Sequence, residues 1–255
     1  MDRYRQSRIA RWSQPRYALD QRFVRLTLLI DQGKEAQGVR WQESRRFQDV
    51  REVLAQVQEP AIVVLGPPGS GKSTLLCHYE LECCQASLAN AAAKPPDPTP
   101  LTFFVPLNDY KPERADQPLP LPKDWLAARW QAVDAELPPL PTLLREQRLT
   151  LLLDAINEIP YAKDAAIRHW KDFLRQLAHD YPGNRTILSC RSLDYSASLS
   201  SKELPIPQAR LEVLSDPQVQ KFLEAHDPRT GPRCGVTSKI LRSSTSFGSR
   251  IISSS

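Results

Sequence analysis

The nonapeptide GPPGSGKST (66–74) constrains this chain more than any other stretch. It matches G-x-x-x-x-G-K-[ST], and each part has a chemical reason. Gly66, Gly69 and Gly71 let the backbone wrap closely with its N–H groups turned inward around an anion. The chain has only nine glycines, so three within nine residues mark a special loop. The apolar run AIVVLG (61–66) leads in, and the helical stretch 72–93 leads out. A strand, a tight loop and a helix N-terminus together make an anion cradle. Lys72 can reach β- and γ-phosphates, and the Ser73 hydroxyl can hold Mg²⁺. Pro67, Pro68, Ser70 and Thr74 complete the candidate nucleotide contacts.

A second strand should stand beside that loop. LLLDAINEIP (151–160) runs through consecutive leucines into Asp154 and then Glu158. Consecutive leucines fit a strand covered on both faces. Asp154, at its end, suits the acid that holds Mg²⁺ beside a phosphate loop. Glu158 lies just past the strand, where a carboxylate can polarise attacking water. Asn157 can hydrogen-bond near a metal but adds no charge. RTILSCR (185–191) is a further strand, ending in Arg191. Ligands bind at the strand C-termini of open α/β sheets, and an arginine there can read a γ-phosphate. The alternatives are an exposed acid at a helix start for Glu158 and a surface ion pair for Arg191.

Strands predicted at 61–66, 101–107, 149–154, 185–190 and 209–214 alternate with helices, notably 162–181 with its stripe of Ile167, Trp170, Phe173, Leu174 and Leu177. That alternation predicts a three-layer α/β fold with a mostly parallel five-stranded sheet. The proline-rich segment 94–100 reads as a stiff surface linker. Upstream, 1–19 reads as irregular, 23–31 as a strand and 44–57 as a helix, giving a short N-terminal strand–helix lead-in. The domain reading is a basic arm and lead-in at 1–58, a core at 59–215, the start of an incomplete helical domain at 216–228 and a Ser-rich tail at 229–255. The change of composition after Pro228 reads either as disorder or as a cut or shifted reading frame, and an uncovered apolar face at 216–228 would favour aggregation.

The net charge of +5 is concentrated at the start: residues 1–25 hold seven arginines and two aspartates. Such an arm reads as a solvated extension, or as a contact for nucleic acid. Five cysteines at 77, 83, 84, 190 and 234 lack metal spacing. An odd count without a secretion signal reads as reduced thiols in the cytoplasm, with Cys83 and Cys84 as packing residues. No apolar run reaches membrane-span length, so no membrane partner is expected.

GPPGSGKSTLL, LTFFVPLNDY, LTLLLDAINEIP and RTILSCRSLDY, in this order and spacing, resemble a NACHT module, a P-loop NTPase of the STAND class. The small residue after Asp154, and the acid close behind it, carry most of the likeness. Arg191 falls in the sensor position, and RFVRLTLL (22–29) with the turn at Trp41 resembles the lead-in of bacterial members. The resemblance covers about residues 20–225. It implies ATP or ADP with Mg²⁺, a closed ADP state, an ATP state that self-associates in a longer parent, and a role in signal transduction or antiviral defence. Asn157 stands where many members have an acid, which implies an ATPase of low turnover. The absence of NKxD, of DxxG after Asp154 and of an LSGGQ-like stretch argues against signalling GTPases and transporter ATPases. A small-molecule phosphotransferase and a non-hydrolysing nucleotide-binding fragment are the alternatives.

Overall fold

The computed structural model describes residues 1–14, 26–31, 41–47, 49–90, 101–114, 116–147, 149–195, 199–201, 203–212 and 216; for 26–31, 41–44 and 163 it describes the backbone alone. The chain divides into two compact units, Met1–Asp20 with Val24–Val213, and Gln21–Phe23 with Leu214–Ser255. Every described residue except Asp216 belongs to the first unit. Apart from Asp216, the incomplete helical domain expected at 216–228 and the Ser-rich tail lie outside the described residues.

Five strands make a parallel core: β3 (Ala61–Gly66), β4 (Leu101–Pro106), β5 (Leu149–Asp154), β6 (Arg185–Arg191) and β7 (Gln208–Leu211). Two more, β1 (Leu26–Asp31) and β2 (Trp41–Phe47), extend the same sheet antiparallel, in the order β2-β1-β7-β3-β6-β5-β4. The three-layer α/β expectation holds around the parallel five. β3 and β5 are buried along their full length, as central parallel strands covered on both faces require.

Alternate side chains feed two cores. Val63, Leu65, Leu151 and Leu153 pack with Leu126 and Trp130 of α4 (Pro122–Val133), Leu143 of α5 (Leu140–Arg145) and Trp170 of α6 (Lys163–Asp180). Ile62, Val64, Leu152 and Ile187 pack on the opposite face with Val53 of α2 (Val50–Gln56) and Leu76 of α3 (Lys72–Ala89). The period-two alternation of a strand is what divides each run between the faces. Among the described residues, no helix is long and apolar enough to cross a membrane.

The N-terminal part departs from expectation twice. Residues 44–47 are strand, not helix: β2 pairs with β1, and the helix begins only at Val50, where the Asp49 carboxylate accepts the Arg51 N–H at 2.8 Å. Phe47 joins the same core as Val50 and Val53, so its apolar spacing imitates a helical turn that the backbone does not make. Residues 2–12, expected to be irregular, form helix α1 (Asp2–Trp12), with Tyr4, Arg8 and Trp12 buried. Those three fall at i, i+4 and i+8, which places them on one helix face. Arg3, Arg5 and Arg8 each pair with a carboxylate, so these arginines belong to ion pairs within the fold.

Candidate nucleotide site

The site is built at the C-terminal ends of three adjacent strands, β3, β6 and β5. Register places Gly66 opposite Arg191 across β3 and β6. The loop 66–71 then carries the chain into α3. A Cβ at Gly66 would stand 2.6 Å from Ser70 Oγ, so the serine side chain would have to turn aside. Gly71 caps α3 at φ +93°, a conformation that L side chains rarely adopt. Pro67, Pro68 and Gly69 are exposed at the loop crest, Ser70 is half-buried, and Ser73 is exposed on the first turn of α3 beside half-buried Thr74.

Lys72 is buried, and its Nζ donates to the carbonyl oxygens of Gly66 at 3.0 Å and Pro67 at 2.8 Å. Burial pushes its pKa below the usual lysine value, and the nearby Asp154 carboxylate partly restores it. The ammonium therefore sits within its own loop, on backbone oxygens that a phosphate oxygen can replace.

Asp154 ends β5 and is 7% exposed. The Ser189 hydroxyl donates to Asp154 Oδ1 at 2.5 Å, while Ser189 Oγ accepts the Ala155 N–H at 2.7 Å. Ala155 is left-handed, at φ 59° and ψ 55°, and turns the chain sharply into the 3-10 turn Ile156–Glu158. Glu158 and Arg191 meet there: Arg191 Nη2 donates to Glu158 Oε1 at 2.5 Å, with side chains 40% and 42% exposed. Asn157 links the same elements, accepting the Arg191 backbone N–H and donating to Asp194, both at 3.1 Å. The sequence-predicted residues Lys72, Ser73, Asp154, Glu158 and Arg191 thus gather at one edge of the sheet. Ser189 is not among those sequence-predicted residues. Its small hydroxyl side chain, between Leu188 and Cys190 and two positions before Arg191, was the one available signal.

A Mg²⁺ ion takes hard oxygen ligands, usually one or two carboxylates with substrate phosphates and waters. The buried carboxylate of Asp154 and the hydroxyl of Ser73 fit that pattern, and among the described residues no cluster of three or more His, Cys, Asp or Glu offers a different kind of metal site.

The model of the NACHT domain family matches residues 60–228 of the sequence. This chain belongs to the NACHT family. The matched span begins just before β3 and takes in the phosphate loop, Asp154, Glu158 and Arg191, so the NACHT module is a nucleotide-binding P-loop NTPase. No curated protein matches the sequence. Among solved structures, a chain of the E. coli MS115-1 HORMA:CdnC:Trip13 complex is similar at 14% identity and a TM-score of 0.44, over 76% of this chain and 62% of that one. This NACHT chain therefore spans less than two thirds of that chain's length.

Proposed function

We propose that this NACHT module binds ATP with Mg²⁺ and hydrolyses it slowly, as the nucleotide-dependent part of a STAND switch in signalling or defence. The observation that carries the reading is the placement of Lys72, Asp154 and the Glu158–Arg191 pair at one sheet edge. The loop N–H groups and the α3 N-terminus would hold the phosphates. Lys72 would exchange its bonds to Gly66 and Pro67 for phosphate oxygens. Asp154 and Ser73 would hold Mg²⁺, which supplies charge neutralisation at the β- and γ-oxygens. Arg191 can bond either Glu158 or a γ-phosphate oxygen. A γ-phosphate that draws Arg191 away frees Glu158 to orient water. Slow turnover follows from a water-positioning acid that is engaged until then.

A non-hydrolysing binding module is the second reading, favoured by the same ion pair if Arg191 stays on Glu158. A cytoplasmic setting is part of the same proposal and rests on the odd count of five cysteines. Self-association in a longer parent, and a nucleic-acid contact through residues 1–25, rest on resemblance and charge alone. The deciding experiment is nucleotide occupancy. The purified protein is denatured, and the released nucleotide is identified by chromatography for wild type and Lys72→Ala. Bound ADP or ATP that the substitution abolishes supports the reading. An empty protein that also fails to bind added Mg-ATP overturns it.

A further inference from the structure

We infer that Ser189 is a positioning residue for the divalent-cation site, fixing the Asp154 carboxylate and the strained turn behind it through one hydroxyl. The inference rests on the Mg²⁺ reading above and adds a residue to it. Two contacts define its role. Ser189 Oγ accepts the Ala155 N–H at 2.7 Å, and Ser189 donates to Asp154 Oδ1 at 2.5 Å. A serine hydroxyl has a single proton. The Ala155 N–H can only donate, so the hydroxyl proton must point at the carboxylate. Donor direction is therefore set by covalent structure.

The length suits a charge-assisted O–H···O⁻ bond, the stronger kind. Ser189 itself is 1% exposed, so water does not compete for these contacts. Among the described residues, this is the one hydrogen bond to the Asp154 carboxylate, and it engages Oδ1. Oδ2 is left for a cation. The second contact matters as much. Ala155 is held at φ 59°, a left-handed conformation that non-glycine residues rarely adopt. That turn follows Asp154 directly and carries residues 156–158 to Arg191. Pinning the Ala155 N–H stabilises the turn. Without the hydroxyl, the half-buried Ala155 N–H loses this partner and the carboxylate gains rotational freedom.

Groups that orient a metal's ligand typically change metal affinity by about 10–100-fold when removed. The measurement is ADP binding by calorimetry at stepped Mg²⁺ concentrations and in excess EDTA, for wild type, Ser189→Ala, Ser189→Thr and Asp154→Asn. The expected result is a rise of about tenfold or more in half-saturating Mg²⁺ for Ser189→Ala, with EDTA affinity within about twofold of wild type. Ser189→Thr keeps the hydroxyl and should stay close to wild type. A residue that merely packs would lower both affinities together, and that result overturns the inference. So does an unmoved Mg²⁺ requirement in Ser189→Ala while Asp154→Asn abolishes the Mg²⁺ effect. If wild type shows no Mg²⁺ enhancement, the cation reading itself fails, and the inference fails with it. Should Ser189→Ala not fold, Ser189→Cys replaces the hydroxyl with a weak donor of similar size, and the same rise is required of it.

Discussion

Arg8→Met should release the N-terminal helix. Glu80 lies in α3, two turns past Lys72, with no exposed surface. Arg8 Nε and Nη2 donate to its Oε2 at 2.8 and 2.5 Å, Trp12 Nε1 to the same oxygen at 2.6 Å, and the Phe104 N–H of edge strand β4 to Oε1 at 3.1 Å. Tyr4 reaches Oε1 at 3.3 Å and bonds the Thr102 carbonyl at 2.8 Å. Arg8 is the sole cation in this set, so removing it leaves a buried charge held by neutral donors. Breaking such a pair costs about 3–5 kcal/mol. For a unit of this size, about 1 kcal/mol moves the melting midpoint by roughly 2–4 °C, so the expected fall is roughly 6–20 °C. The chain has a less costly response. Undocking α1 returns Glu80 to water, and the loss then shows as local opening. Thermal unfolding by circular dichroism, with hydrogen exchange over residues 1–14, reads both routes. Arg8→Met with Glu80→Gln should recover part of the loss, because the amide oxygen still accepts from Trp12 or Phe104 without a buried charge. A midpoint within about 2 °C of wild type, with residues 1–14 still protected, would refute the reasoning.

Lys72→Ala should weaken nucleotide binding by at least about tenfold, since hydrogen bonds to charged groups contribute about 1.5–3 kcal/mol each; calorimetry with ADP checks it. Arg191→Ala should lower ATP affinity relative to ADP, yet shift the melting midpoint by no more than about 4 °C, because an exposed ion pair contributes about 0–1 kcal/mol. Burial pushes the Cys83 thiol up to about 11 and the Cys84 thiol up to about 12, so both are protonated at pH 8 and should react with a disulfide reagent only as the domain opens. A fast phase mapped to either cysteine by mass spectrometry would contradict this. The same shifts carry a sign for stability. Above about pH 8.5 the unfolded thiols lose protons that the folded ones keep. Folding stability should therefore decline as pH rises from about 9 toward 11, readable in urea midpoints.

How far the sequence could be read depended on the range of the interaction. The phosphate loop was legible because its parts are neighbours: glycines that permit a tight wrap, a lysine and a serine on the helix that follows. Strand β5 was legible because burial on both faces demands an unbroken apolar run, and Asp154 breaks it at the last residue. Helix α6 was legible through its apolar stripe. Beyond such short ranges, pattern misled. Phe47 continued the spacing of α2 from inside β2, because a side chain can join a core from either kind of backbone. The arginines of residues 2–12 read as a solvated arm, because nothing local reveals that Arg8 has a carboxylate 72 positions away.

The sequence by itself determined that a strand, a glycine-rich loop and a helix N-terminus would make an anion site, and that Asp154 and Arg191 would each end a strand. Those properties follow from backbone geometry and side-chain period, which act over a few residues. Only the tertiary structure decided that β6 lies between β3 and β5. From that order came the rest: Ser189 against Asp154, Asn157 between Arg191 and Asp194, and Arg191 on Glu158. The docking of α1 on α3 likewise made Glu80 its anchor. A hydrogen bond requires donor and acceptor within about 3 Å. Strand order and register set that distance for residues far apart in sequence, and neither can be read from the residues on either side.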